Sequence, residues 1–131
     1  MEWKLTERQG EICISLAAMV QGRDGVFWIY GGTRPHIGAV AVELGGKTEQ
    51  LTVFPGHREE LVVRALEERL ARCEWLEHVI VCAGIHYDDI RREWIPQILA
   101  LCERLADRMV DCLNVMKPEE RGGLGWSGKE S

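Results

Sequence analysis

The sequence predicts an α+β fold: a two-layer sandwich in which an antiparallel β-meander is followed by helix, strand and helix, both helices packed on one sheet face. Three observations carry that expectation. Residues 10–21 alternate with period two. After Phe54-Pro55-Gly56 the apolar spacing becomes helical. A short β-branched run, Val79-Ile80-Val81-Cys82-Ala83, then separates two helical segments.

The first strand runs from Gly10 to Gln21 and places Ile12, Ile14, Leu16, Ala18 and Val20 on one face, with Cys13, Ser15, Ala17 and Met19 on a semi-polar face. Gly22-Arg23-Asp24-Gly25 supplies a turn, and Val26-Phe27-Trp28-Ile29-Tyr30 pairs back as a hairpin. Runs Ile37–Leu44 and Lys47–Phe54 flank Gly45-Gly46, a two-residue turn suited to positive φ. That spacing sets Val42 opposite Glu49 and Val40 opposite Leu51, and makes Val40, Val42, Leu51 and Val53 one apolar face.

Between Arg58 and Glu74, Leu61, Val62, Ala65, Leu66, Leu70 and Cys73 form the apolar stripe of a helix. Glu59, Glu60, Arg64, Glu67, Glu68 and Arg72 read as its solvated face, laced by i,i+4 pairs, and are not catalytic candidates. The run ending at Ala83 reads as a strand inside the sheet. The last helix, about Ile95–Leu113, carries its Pro96 in the first turn, where no intrahelical donor is lost. Residues 1–117 therefore form one domain, and 118–131 read as a mobile tail with Trp126 its sole anchor.

With 131 residues there is room for one compact domain. A formal net charge of −5 argues against a grip on nucleic acid, and no stretch is long and apolar enough to cross a membrane. The amino-terminal ten residues lack an apolar signal core. Five cysteines without a C-x-x-C pair fit free thiols in a reducing compartment, so a cytoplasmic location is expected.

Two segments at strand ends carry the chemistry. Gly31-Gly32-Thr33-Arg34-Pro35-His36-Ile37-Gly38 combines adjacent glycines, whose amides can face an anion, with a guanidinium fork and a histidine held by a preceding proline. Its ordinary reading is a stiff connection between strands. Gly84-Ile85-His86-Tyr87-Asp88-Asp89-Ile90 places an imidazole two residues from an acid at a strand-to-helix corner. Here the ordinary reading is a helix cap by Asp88 or Asp89.

A metal set of His36, His86 and Asp88 or Asp89 has no recognised spacing, and Cys82 sits in an apolar run where thiolates are disfavoured. No catalytic residue and no metal ligand is assigned. Dinucleotide and P-loop signatures are absent.

Taken together, GGTRPHIG and GIHYDDI resemble a small prenylated-flavin chaperone-like family. Its members are the small accessory component of gallate and hydroxybenzoate decarboxylases that use prenylated FMN. The resemblance spans about Gly10 to Leu113 and implies a fold similar to proteasome assembly chaperones. It implies prenylated FMN, or FMN, as ligand, held by Gly31, Gly32, Thr33, Arg34, Pro35, His36 and Gly38 with Gly84, His86 and Asp88. It also implies a prenylated-FMN-dependent decarboxylase subunit as partner.

Three functions compete. The first is a non-catalytic accessory protein that binds or delivers prenylated FMN to a partner aromatic-acid decarboxylase. The second is a small stand-alone enzyme using His36 or His86 as acid–base on an aromatic acid. The third is an assembly factor without a small ligand. An exposed sheet face or edge also predicts a homodimer.

Overall fold

The computed structural model describes residues 1–54 and 59–117. The 118–131 tail, Trp126 and the expected helix start at Arg58 lie outside the described residues. The chain runs β1 (Glu2–Gln9), β2 (Ile12–Gln21), β3 (Asp24–Gly32), β4 (Ala39–Leu44), β5 (Lys47–Val53), α1 (Glu60–Leu70), β6 (His78–His86) and α2 (Trp94–Val115). These build an α+β fold with one six-stranded sheet in the order β1-β2-β3-β6-β4-β5.

Strand β1 is an addition to the sequence-based elements. It pairs antiparallel with β2, Leu5 opposite Leu16, and its inward positions Trp3, Leu5 and Glu7 are half-buried. Only two of those three are apolar, which makes a weak period-two signal. Strand β6 lies inside the sheet, parallel to β3 and antiparallel to β4, and so splits the meander.

One face of the sheet carries the core. Ile12, Ile14 and Leu16 of β2, Phe27 and Ile29 of β3, Val81 and Ala83 of β6, and Ala39 and Ala41 of β4 are buried there. Helix α1 covers β6 and β4, while α2 covers β1 and β2 and packs along α1. The stripe of α2 (Ile98, Leu101, Cys102, Leu105, Met109, Leu113) repeats at three- and four-residue intervals, as an amphipathic helix against a sheet requires. Pro96 falls within the first turn of α2, where backbone N–H groups have no intrahelical acceptor.

The β4–β5 register departs from the expected one. Gly45 and Gly46, with φ of 59° and 81°, make the tight turn, and Leu44 faces Lys47 and Glu43 faces Thr48. A bulge then shifts the ladder, so Val42 faces Gln50, Val40 faces Thr52 and Ala41 faces Leu51. Because one inserted residue reverses every later side chain, Leu51 and Val53 share the helix side with Ala41 and Ala39, while Val40 and Val42 look away.

The charged face of α1 is also corrected. Glu59 and Glu67 are 8% and 6% exposed, whereas Leu61, expected in the stripe, is exposed. Glu67 turns toward β4 and β5, where Thr48 Oγ1 donates to its Oε2 at 2.5 Å and Glu43, itself 2% exposed, hydrogen-bonds with it. Burial and the Glu67 charge push the Glu43 carboxyl up to about 7.

Candidate functional site

Both motifs meet at the end of the sheet where β3 and β6 finish side by side, Gly32 opposite His86. From there residues 33–38 must reach β4, which lies on the far side of β6. The loop does so as a strap over β6. The Arg34 amide donates to the His86 carbonyl at 3.2 Å, and the Gly38 amide donates to the Ala83 carbonyl at 2.7 Å.

The glycines make that crossing possible. A Cβ on Gly84 would collide with the His36 carbonyl, and one on Gly32 (φ 93°) would collide with the His86 carbonyl. Gly38 admits the Glu59 carboxylate from α1. Trp28 of β3 ties the strap down, its indole N–H donating to the His36 carbonyl at 3.2 Å.

At the strap, Arg34 Nη2 donates to Asp88 Oδ1 at 2.6 Å and lies 3.1 Å from His86 Nε2, which is itself 3.2 Å from Asp88 Oδ1. The tautomer of His86 decides whether Nε2 accepts from Arg34 or donates to Asp88. The Asp88 amide donates to Thr33 Oγ1 at 3.0 Å, and that hydroxyl donates to the His86 carbonyl at 3.3 Å. The Arg34 guanidinium beside Asp88, then His86, holds its carboxyl below the usual range.

His36 turns the other way. Its Nδ1 is 2.9 Å from the Arg34 carbonyl and its Nε2 is 3.3 Å from Glu59 Oε1, on a side chain 9% exposed. The two imidazoles meet edge-on with centroids 6.1 Å apart, each facing a different acid. Asp88 is spent on Arg34 rather than on capping α2, whose N-cap position is Glu93, with no side-chain cap bond. Asp89 adopts φ 55° in the turn between them. Cys82 is half-buried in β6, and burial pushes its thiol up.

Residues 8–114 match the family described as the prenylated flavin chaperone LpdD-like domain. The chain belongs to this family. Comparison with curated proteins finds no match. The matched span of the chaperone domain includes β2 to β6, both motif loops and nearly all of α2.

Sequence reasoning missed three contributors to this chaperone domain's loop cluster. Glu59, read as solvated, supports His36. Trp28, read only as a strand residue, anchors the strap. Tyr87, inside the second motif, bonds the Cys13 backbone, accepting from its amide at 2.7 Å and donating to its carbonyl at 3.2 Å. It also packs edge-on against Trp94, so the loop is held to both β2 and the start of α2. A tyrosine amid polar loop residues was the available signal.

Proposed function

We propose that this protein is a non-catalytic accessory chaperone that binds prenylated FMN and hands it to a partner aromatic-acid decarboxylase. The observation that carries this reading is the meeting of Arg34, His36, His86 and Asp88 on one strap at the end of β3 and β6. The residues fit the phosphate of such a ligand. Arg34 uses only Nη2 in its bonds to Asp88 and His86, and its side chain is 69% exposed, so the rest of the guanidinium fork faces outward. Gly31, Gly32, Thr33, Pro35, Gly38 and Gly84 act by shaping the strap, while His36 and His86 flank it. The flavin's conjugated ring supplies the decarboxylation chemistry only in the partner.

Both imidazoles are held in place, His36 by the Arg34 carbonyl and Glu59 and His86 Nε2 by Arg34 and Asp88, which suits rings that flank a ligand. The test is purification after co-expression with a flavin prenyltransferase, followed by absorbance and mass measurement. Retained prenylated FMN is expected; a colourless protein that also fails to take up added reduced prenylated FMN would remove the carrier reading and leave the assembly factor.

A further inference from the structure

At the end of β4 farthest from the strap, a small hollow lies between the Gly45-Gly46 turn, the close of α1 and the segment leading to β6. The turn sits close to the end of α1, where a Cβ on Gly46 would fall 3.7 Å from that of Ala71. Leu70, Cys73, Leu76 and Val79 form its apolar wall, each buried. The volume is about 120 Å³, well below the roughly 300–1,000 Å³ of cofactor-sized sites. At about 30 Å³ per water in the liquid, it has room for about four waters or one short alkyl chain.

The charge of this hollow is one-sided. Glu43 and Glu74 line it, Glu67 hydrogen-bonds with Glu43, and no lysine, arginine or histidine is among the lining residues. The carboxy-terminal end of α1, which carries partial negative charge, borders it through Leu70 and Ala71. Glu43 is 2% exposed, and its Oε2 is a buried oxygen without a hydrogen-bond partner among the described residues. Buried polar atoms are nearly always bonded, so this oxygen points to a donor that enters from outside the chain.

We propose that the hollow receives a primary ammonium on a short unbranched alkyl stem, the stem against Leu70, Leu76 and Val79 and the ammonium donating to Glu43 Oε2. The acids and the helix end select a cation. Only one oxygen of Glu43 is open, because the other is taken by Glu67, and that suits the point charge of an ammonium rather than a two-pronged guanidinium. A metal ion fits less well: the one group of three converging metal-ligating side chains among the described residues is Asp24, Glu77 and His78, at the start of β3 and β6. This site is independent of the strap and of flavin binding.

Occupancy is tied to a proton. Below about 7, the value to which burial and the Glu67 charge push the Glu43 carboxyl, the two acids share one proton. An incoming ammonium replaces that proton as the counter-charge, and the proton leaves to solvent. Besides Glu67 of α1, the titratable groups at the hollow are Glu74 and Cys73, whose thiol is pushed up by burial and stays neutral; β5 and β6 present Thr48 and Val79, which carry no charge. Ammonium affinity should therefore be about tenfold higher at pH 8 than at pH 6, following the ionised fraction of Glu43.

The test follows the backbone amide signals of Gly45, Gly46 and Ala71 by NMR while n-butylammonium chloride is added at pH 6 and at pH 8. n-Butanol serves as the uncharged control and tetramethylammonium as a cation without N–H donors. Saturable shifts are expected with butylammonium alone, about tenfold tighter at the higher pH. Glu43→Gln keeps the shape and removes the charge, and it should weaken binding about tenfold or more, with circular dichroism to check its fold. The contrast between the two pH values in wild type decides the matter without any substitution. A parallel titration with Nα-acetyl-lysine methylamide tells the sources apart: binding of both amines assigns the hollow to a lysine side chain of a partner, and binding of butylammonium alone assigns it to a free alkylamine. Equal responses to all three small additives, no saturation through about 100 mM, or unchanged affinity between pH 6 and pH 8 or in folded Glu43→Gln would overturn the proposal.

Discussion

Arg34 and Asp88 show how one charge pair sets the terms of ligand exchange. Both side chains are more than half exposed, so their 2.6 Å contact is screened by water and adds little to stability. Its effect is on the next anion to arrive. Arg34→Ala removes charge-assisted bonds to a phosphate and should weaken FMN binding by about ten- to a hundredfold with little change in melting temperature, read by titration and thermal unfolding. Glu68→Ala, exposed on α1, is the silent control, its stability within about 0.5 kcal/mol of wild type. Asp88→Asn keeps an acceptor for Arg34 and His86 while deleting the negative charge beside the phosphate. It should tighten FMN about threefold, and weaker binding would show instead that the carboxylate itself contacts the ligand.

At the scale of elements, what was legible followed from local periodicity, and what was not depended on distant neighbours. Strand β2, the Gly45-Gly46 turn and the stripe of α2 each declare themselves within a dozen residues. The slot of β6 between β3 and β4 does not, because a uniformly apolar run fits anywhere inside a sheet. Nor does the bulge after Val42, which moves Leu51 and Val53 to the helix side. Both motif loops were visible from composition, but Glu59 and Glu67 read as solvated because an acid on a helix face gives no local sign of the polar partner it meets. Glu67 meets Glu43, and that pairing has a pH signature. Glu43 titrates at about 7 in the fold against an ordinary 4.5, so between those values the folded state keeps a proton that the unfolded chain releases. Stability from this group is therefore fully present below about 4.5, falls as pH rises toward 7, and changes no further above it. Glu43→Gln should flatten that part of the melting-temperature profile and raise stability at pH 8; an unchanged slope would place the titrating group elsewhere.

The whole molecule is closed on one side and open on two others. Its helices seal the inner face, and β1 is guarded at its edge by Arg104 and Arg108 of α2, which reach Glu7 at 3.2 and 2.7 Å. The opposite edge, β5, has no such cover among the described residues, and six of its seven residues are exposed. A strand edge left this way offers unpaired N–H and C=O groups to any extended backbone, and a second copy of the same strand is the partner always present at equal concentration. Antiparallel pairing of β5 with its symmetry mate would extend the sheet across a two-fold axis and leave the outer face open to a ligand. The protein should therefore scatter light as a dimer at micromolar concentration. Lys47 and the turn at Gly45-Gly46 lie at one end of that edge, so strand-to-strand contact would be felt most beyond it, at Leu51 and Val53, whose backbone groups face away from β4. Val53→Pro removes an outward backbone donor and fixes φ there without touching the ladder to β4, and it should shift the population toward monomer. A wild-type protein that stays monomeric through tens of micromolar would show that the β5 edge is protected by other means and that the flavin-binding unit is a single chain.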